Sequence, residues 1–141
     1  DNDGDENTQI YKYELATKQS SQLTQFPEIE FVNSYLWSTN GESVYFLNQK
    51  KKENLAEIYS LDPQTKEKKK LVTLKGDTHF LVDVNPDFLL FAHYLSNNHI
   101  VYYLLDLKNL QAAQITKDVA YFTEGKFSHD KRGIWWLSDA E

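Results

Sequence analysis

The sequence predicts an all-β protein built from a repeated four-stranded unit, and three observations carry that expectation. Aromatic residues make up 14% of the 141-residue chain, with nine Tyr, eight Phe and three Trp. Such residues, together with Val and Ile, pack well on a pleated, half-buried surface. From Ile10 onward, short runs rich in Tyr, Val, Ile and Phe alternate with clusters of Asn, Asp, Gly, Pro or Lys, as strands alternate with turns. Those runs also recur at a fixed spacing, the mark of a repeat architecture.

Residues 1–8 (DNDGDENT) are acidic and carry no apolar side chain, so they are read as a disordered lead-in and residues 9–141 as the repeat domain. Asp1, Asp3 and Asp5 stand at alternate positions, as in the first half of a calcium-binding loop. The second half does not follow, because Glu6 stands where a sharp turn needs Gly and Lys12 where a bidentate Glu belongs. Downstream, no stretch holds a convincing 3.6-residue period. The nearest, Asn54–Leu61, alternates better as a strand at Ile58-Tyr59-Ser60-Leu61.

Self-comparison orders the strands. Trp37–Leu47 (WSTNGESVYFL) aligns without a gap with Phe127–Leu137 (FSHDKRGIWWL), 90 residues later. Between them Val84–Phe91 (VNPDFLLF) fits the same template with one residue fewer in the turn. A second element, Ile58–Asp62 (IYSLD), matches Tyr102–Asp106 (YYLLD) 44 residues later and Ile10–Glu14 (IYKYE) 48 residues earlier. Each is followed by a polar turn and a closing strand: Gln22–Thr24, Leu71–Thr73 and Gln114–Thr116.

A period of about 45 residues with four strands per unit is what a propeller blade requires. Each unit reads as an inner strand ending in a Ser/Asn-Asx turn, a second strand, a third ending in an acidic residue, and an outer strand ending in Thr. The chain opens on the third and fourth strands of one blade and closes on the first and second of another, with two whole blades between. A ring of three falls below the usual range of about four to eight blades. The order therefore allows a portion of a longer propeller, two copies paired into a six-bladed ring, or three units closed or open on themselves. The first is favoured, and its exposed strand edges would invite pairing with another chain.

The pattern W-S-x-[ND]-G…V-Y-F followed by I-Y-x-x-D…L-T resembles the repeats of TolB-like propellers. Trp37, Ser38, Asn40 and Gly41 carry it best, then Phe127, Ser128 and Asp130. The resemblance covers Ile10–Leu137, although the middle copy departs with Asn85-Pro86-Asp87 and no Gly. It implies an all-β, partial propeller of about three four-stranded antiparallel blades. Repeats of this kind also occur in extracytoplasmic halves of membrane-anchored, winged-helix regulators of the ToxR/CadC kind and in prolyl-oligopeptidase-type enzymes. The first setting implies a non-enzymatic sensing or protein-interaction module, extracytoplasmic (periplasmic), in a membrane-anchored transcriptional or signalling regulator. The second implies the propeller portion of a serine peptidase whose catalytic domain would carry a G-x-S-x-G motif. A pure assembly module, driven by exposed edges and including a homodimer, is the third reading.

The chemistry-bearing residues point away from an active site. A net charge of −6 argues against nucleic acid or an anionic membrane surface as the main partner. The basic clusters Lys50–Lys52 and Lys66–Lys70 have Glu53 and Glu67 beside or among them and are read as solvated hairpin loops. The chain has no Cys, hence no thiolate site or thiol nucleophile. His79, His93, His99 and His129 lack metal-site spacing. Ser38 and Ser128 fall in turns, where their hydroxyls bond backbone amides, and not in a nucleophile elbow. No catalytic residue, metal or cofactor is expected. A protein partner or small ligand would meet the loops at the inner-strand starts, with Asn33, Tyr35, His79 and Tyr121 as candidates. In Trp135-Trp136 successive rings face opposite sides of a strand, so one packs between blades and the other marks an interface.

Overall fold

The structure, a computed structural model, describes residues 7–27, 30–76, 78–96, 99–117 and 122–139. The acidic run up to residue 6 and Tyr121 lie outside the described residues. The described strands form four antiparallel sheets. The first is a hairpin of β1 (Tyr11–Glu14) and β2 (Gln19–Gln22). A four-stranded blade follows, in the order β3 (Glu30–Trp37), β4 (Val44–Lys50), β5 (Leu55–Leu61) and β6 (Lys68–Lys75). The next blade runs β7 (His79–Val84), β8 (Phe88–Ser96), β9 (His99–Asp106) and β10 (Ala112–Gln114). The last sheet pairs β11 (Phe122–Phe127) with β12 (Ile134–Ser138). Two whole blades thus stand between two half-blades, in the order the repeats predict.

Local chemistry sets the turns. Between β3 and β4, Ser38 Oγ donates to Asn40 Oδ1 and accepts from the Ser43 amide, while Gly41 sits at φ +73°. Ninety residues on, Ser128 Oγ donates to Asp130 Oδ1 and accepts from the Gly133 amide, with Lys131 at φ +61° in the place of Gly41. Burial has little part here. Hydrogen bonds from Ser128 and the Arg132 amide hold the exposed Asp130 carboxyl below its ordinary pKa. The middle copy closes more tightly, Asn85 Oδ1 accepting from the amides of Asp87 and Phe88. After the third strand, the acidic residue that ends the motif accepts a backbone bond from a residue with positive φ: Lys18 to Glu14, Lys66 to Asp62, and Leu110 to Asp106. The closing Thr has its own task. Thr24 Oγ1 accepts from the Ile10 amide and Thr116 Oγ1 from the Tyr102 amide, so a buried hydroxyl extends each ladder by one bond.

The core lies between the sheets. Leu47, Ile58, Leu81, Leu89, Phe91 and Leu105 fill the seam between the two whole blades. Ile10, Leu23, Val32, Val44, Phe46 and Leu61 join the first hairpin to its neighbouring blade, and Leu90, Ile100, Tyr102, Phe127 and Ile134 do the same for the last hairpin. Alternate residues of β4 feed opposite seams, Phe46 one and Leu47 the other, as strand periodicity requires.

Three sequence expectations need correction. Asn7 and Thr8 belong to the folded region, because Asn7 Nδ2 donates to the Phe26 carbonyl and Thr8 Oγ1 to the Val32 carbonyl. Lys68–Lys70 are not loop but the start of β6, an outer edge strand, where lysine discourages further pairing. Lys50 closes β4 and reaches toward Glu30, Glu57 and Glu53 at 3.5, 3.6 and 3.9 Å.

Candidate functional site

A groove of about 560 Å³ opens where β1 approaches β3 and β4. The neighbouring blade supplies its floor through Val32 and Val44, and Ile10 and Leu23 flank it. Tyr35 and Trp37, both more than half exposed, form its rim at the end of the inner strand, opposite Tyr11 and Tyr13 on β1. The groove exists for a topological reason. In the whole blades, an inner and a second strand lie beside the third; beside β1 no strand lies in the described sheets. Asn33 and Tyr35 both line this groove, so the structure brings two of the proposed binding residues together.

His79 lies elsewhere. Its imidazole is 3% exposed and stacked on His93, with ring centroids 4.0 Å apart and planes 12° from parallel. It belongs to the seam between whole blades, which corrects the expectation that it faces a channel mouth. Asn33 is tied to the same seam. It is the bulged residue of β3, skipped in the register between Val32 and Ser34. A bulge re-aims its side chain, and Asn33 Nδ2 donates to the His79 carbonyl at 2.5 Å. Gln49 Nε2 donates to the same carbonyl at 3.1 Å, and the Leu81 amide donates to Ser34 Oγ at 3.0 Å. Polar bonds thus stitch the two inner strands together, and of the candidate pair Tyr35 is the residue a partner can reach.

One polar cluster escaped the sequence reading. Glu57, 7% exposed in its side chain, accepts from Tyr59 Oη at 2.6 Å and from Lys70 Nζ at 3.1 Å, with Lys50 Nζ at 3.6 Å. Burial opposes ionisation of Glu57, but the bonds from Tyr59 and Lys70 and the charges of Lys50 and Lys70 outweigh it and hold the pKa below the ordinary range. Burial and the adjacent Glu57 carboxylate push the Tyr59 phenol far up. Because Lys50 and Lys70 already answer the carboxylate, the cluster reads as a structural ion-pair network. Its sequence signal was a Glu between Ala56 and Ile58 in an otherwise apolar strand.

The other end of the molecule is equally aromatic. Trp136 faces Tyr102 edge-on at 6.4 Å, whereas Trp135 is 72% exposed and Leu137 61%. The structure places the two Trp on opposite faces of β12, one toward the neighbouring blade and one outward. Among the described residues, no three His, Cys, Asp or Glu gather as a metal site would require. No described helix is long and apolar enough to cross a membrane.

No protein-family model and no curated protein matches the chain. Solved structures do. TolB from Acinetobacter baumannii superimposes with a TM-score of 0.65 at 20% identity, over 86% of this chain and 30% of that one. An oligogalacturonate lyase in complex with manganese gives 0.68 at 16% identity, over 82% and 34%. A chain of the mitotic checkpoint complex gives 0.62 at 16% identity, over 91% and 38%. The likeness is one of fold, and this chain spans only about a third of each neighbour's length.

Proposed function

With a TolB-like propeller fold as the premise, we propose that this chain is a non-enzymatic interaction module that receives a protein segment in the aromatic groove between β1 and β3. The observation that carries the reading is the groove itself: an apolar floor with Tyr11, Tyr13, Tyr35 and Trp37 around it. Exposed aromatic side chains around a concave apolar floor are the composition of protein-contact hot spots. A free strand edge beside that floor adds main-chain hydrogen bonds to the recognition. The resemblance of the W-S-x-[ND]-G repeats to those of membrane-anchored regulators supports placing the module outside the cytoplasm, as the sensing part of a transcriptional or signalling protein.

The test is site-specific photocross-linking from Tyr35 in the parent protein in its host. The expected result is a discrete protein adduct that Trp37→Ala lowers about tenfold, as loss of a hot-spot aromatic would. Adducts insensitive to Trp37→Ala would overturn the reading. Digestion of the module by a protease that cannot cross the membrane tests the extracytoplasmic placement. Full protection would remove it.

A further inference from the structure

We propose that one occupant of the groove is a second copy of this chain, whose β11–β12 hairpin completes a four-stranded blade with β1 and β2. This deepens the interaction reading above and rests on it. The argument starts from the two ends of the fold. The sheet β11–β12 holds the first and second strands of a blade, and β1–β2 holds the third and fourth. Within one chain they remain separate two-stranded sheets. Each end supplies what the other lacks.

The internal repeat fixes the register. In the complete blade, β4 pairs with β5 as Val44↔Leu61, Tyr45↔Ser60, Phe46↔Tyr59 and Leu47↔Ile58. Position 44 corresponds to 134 and position 58 to 10 in the sequence repeats. Transferred to the ends, Ile134 falls opposite Tyr13, Trp135 opposite Lys12, Trp136 opposite Tyr11, and Leu137 opposite Ile10. The side chains agree with this register. Phe46 stacks on Tyr59 with centroids 5.2 Å apart and planes 7° from parallel, and the matching pair is Trp136 on the partner copy's Tyr11. Leu47 is wholly buried in the seam between blades. Its counterpart Leu137, with Trp135 on the same face, would enter the groove over Val32 and Val44.

Exposure and charge point the same way. On β12 the outward residues Trp135 and Leu137 are the exposed ones, and on β1 Tyr11 and Tyr13 are. These are the faces that the pairing covers. Glu14 falls opposite Gly133 and beside Arg132, so opposite charges meet at the far end of the new ladder. The contact is heterologous: an end that gives a hairpin meets an end that takes one, and repetition closes into a ring or continues as a filament.

The experiment begins with sedimentation of the 141-residue chain over a concentration series. The expected species has at least twice the 16.5 kDa chain mass. Leu137→Asp alters an exposed position and is expected to weaken association about tenfold or more while leaving the circular dichroism spectrum unchanged. Because the chain has no native Cys, mixing a Lys12→Cys variant with a Trp135→Cys variant tests the register. An intermolecular disulfide should form in the mixture, and not when Glu14→Cys replaces Lys12→Cys. A monomer at every concentration overturns the proposal. A disulfide formed within one chain of the Lys12→Cys, Trp135→Cys double variant, at monomer mass, overturns it in favour of self-closure. In either case the Tyr35 adduct and its sensitivity to Trp37→Ala still decide the broader interaction reading separately.

Discussion

The seam between the two whole blades and the faces at the two ends are built from the same repeat, yet they differ in every physical respect. Leu47 is 0% exposed, and Leu137, the same position ninety residues later, is 61% exposed. Tyr45 is partly buried against the core, while Trp135 stands in solvent. The blade sequence therefore does not encode burial by itself. Burial follows from whether another sheet lies on that face, and an identical apolar residue is core in one copy and contact surface in the next.

Substitution at matched positions is the sharpest way to break this comparison. Leu47→Ala should cost about 3–4 kcal/mol by leaving a cavity in a closed seam. Leu137→Ala should change monomer stability by no more than about 0.5 kcal/mol, as exposed positions do. Urea denaturation of both variants, measured where the chain is monomeric, checks the difference. Equal losses would mean that β12 already carries a packed face.

The ion-pair network gives the next effect. Glu57→Gln keeps the shape but removes the charge that Lys50 and Lys70 face, and should cost about 2 kcal/mol at neutral pH. The sign with pH is fixed by the lowered pKa of Glu57. Its ionised form stabilises the fold above the pKa of the unfolded chain, and this contribution disappears as pH falls through the lower folded value. Thermal denaturation from pH 7 to pH 2 should show the variant losing less on acidification than the wild type. Parallel curves would remove Glu57 as the source.

The seam can also be tested at its backbone. Gly76 has φ +87°, and a Cβ there would meet His93 Nε2 at 2.9 Å, beside the His79–His93 stack. Gly76→Ala should cost about 1–2 kcal/mol, since strain and crowding coincide. The smallest effect is a gain. Lys131 holds φ +61° in the turn position that Gly41 occupies in the first copy. Lys131→Gly should stabilise by about 0.5 kcal/mol, because relief of left-handed strain exceeds the added chain entropy. A loss on denaturation would show that the two turns are not equivalent.

How much of this was legible in the sequence follows from how local each feature is. Strand order and the blade turns rest on short motifs, and Ser38, Asn40 and Gly41 make within six residues the bonds that close the turn. The seams were not legible, because they depend on bulges. In β7 the register slips between Leu81 and Asp83, which sets His79 opposite His93. Without that slip His79 would face Tyr94, so no count of residues from the Asn85 turn finds the stacked pair. Asn33 was singled out for its place near an inner-strand start, but the bulge turned it toward the next blade. Tyr35, just beyond the bulge, stayed at the groove. Glu57 was missed for a related reason: its partners Lys50, Tyr59 and Lys70 come from three strands, and only the pairing of β4, β5 and β6 assembles them.

The outer strands carry a further consequence. β2 is Gln19-Ser20-Ser21-Gln22, exposed throughout; β6 opens on Lys68-Lys69-Lys70; β10 is Ala112-Ala113-Gln114, also exposed. The circumference is thus inert, polar or cationic, and the adhesive surfaces sit only at the two ends. In the language of colloids the molecule is a bivalent particle with one donor and one acceptor patch. Growth is confined to a single direction, and a copy with one spoiled end acts as a chain stopper without seeding lateral sheets.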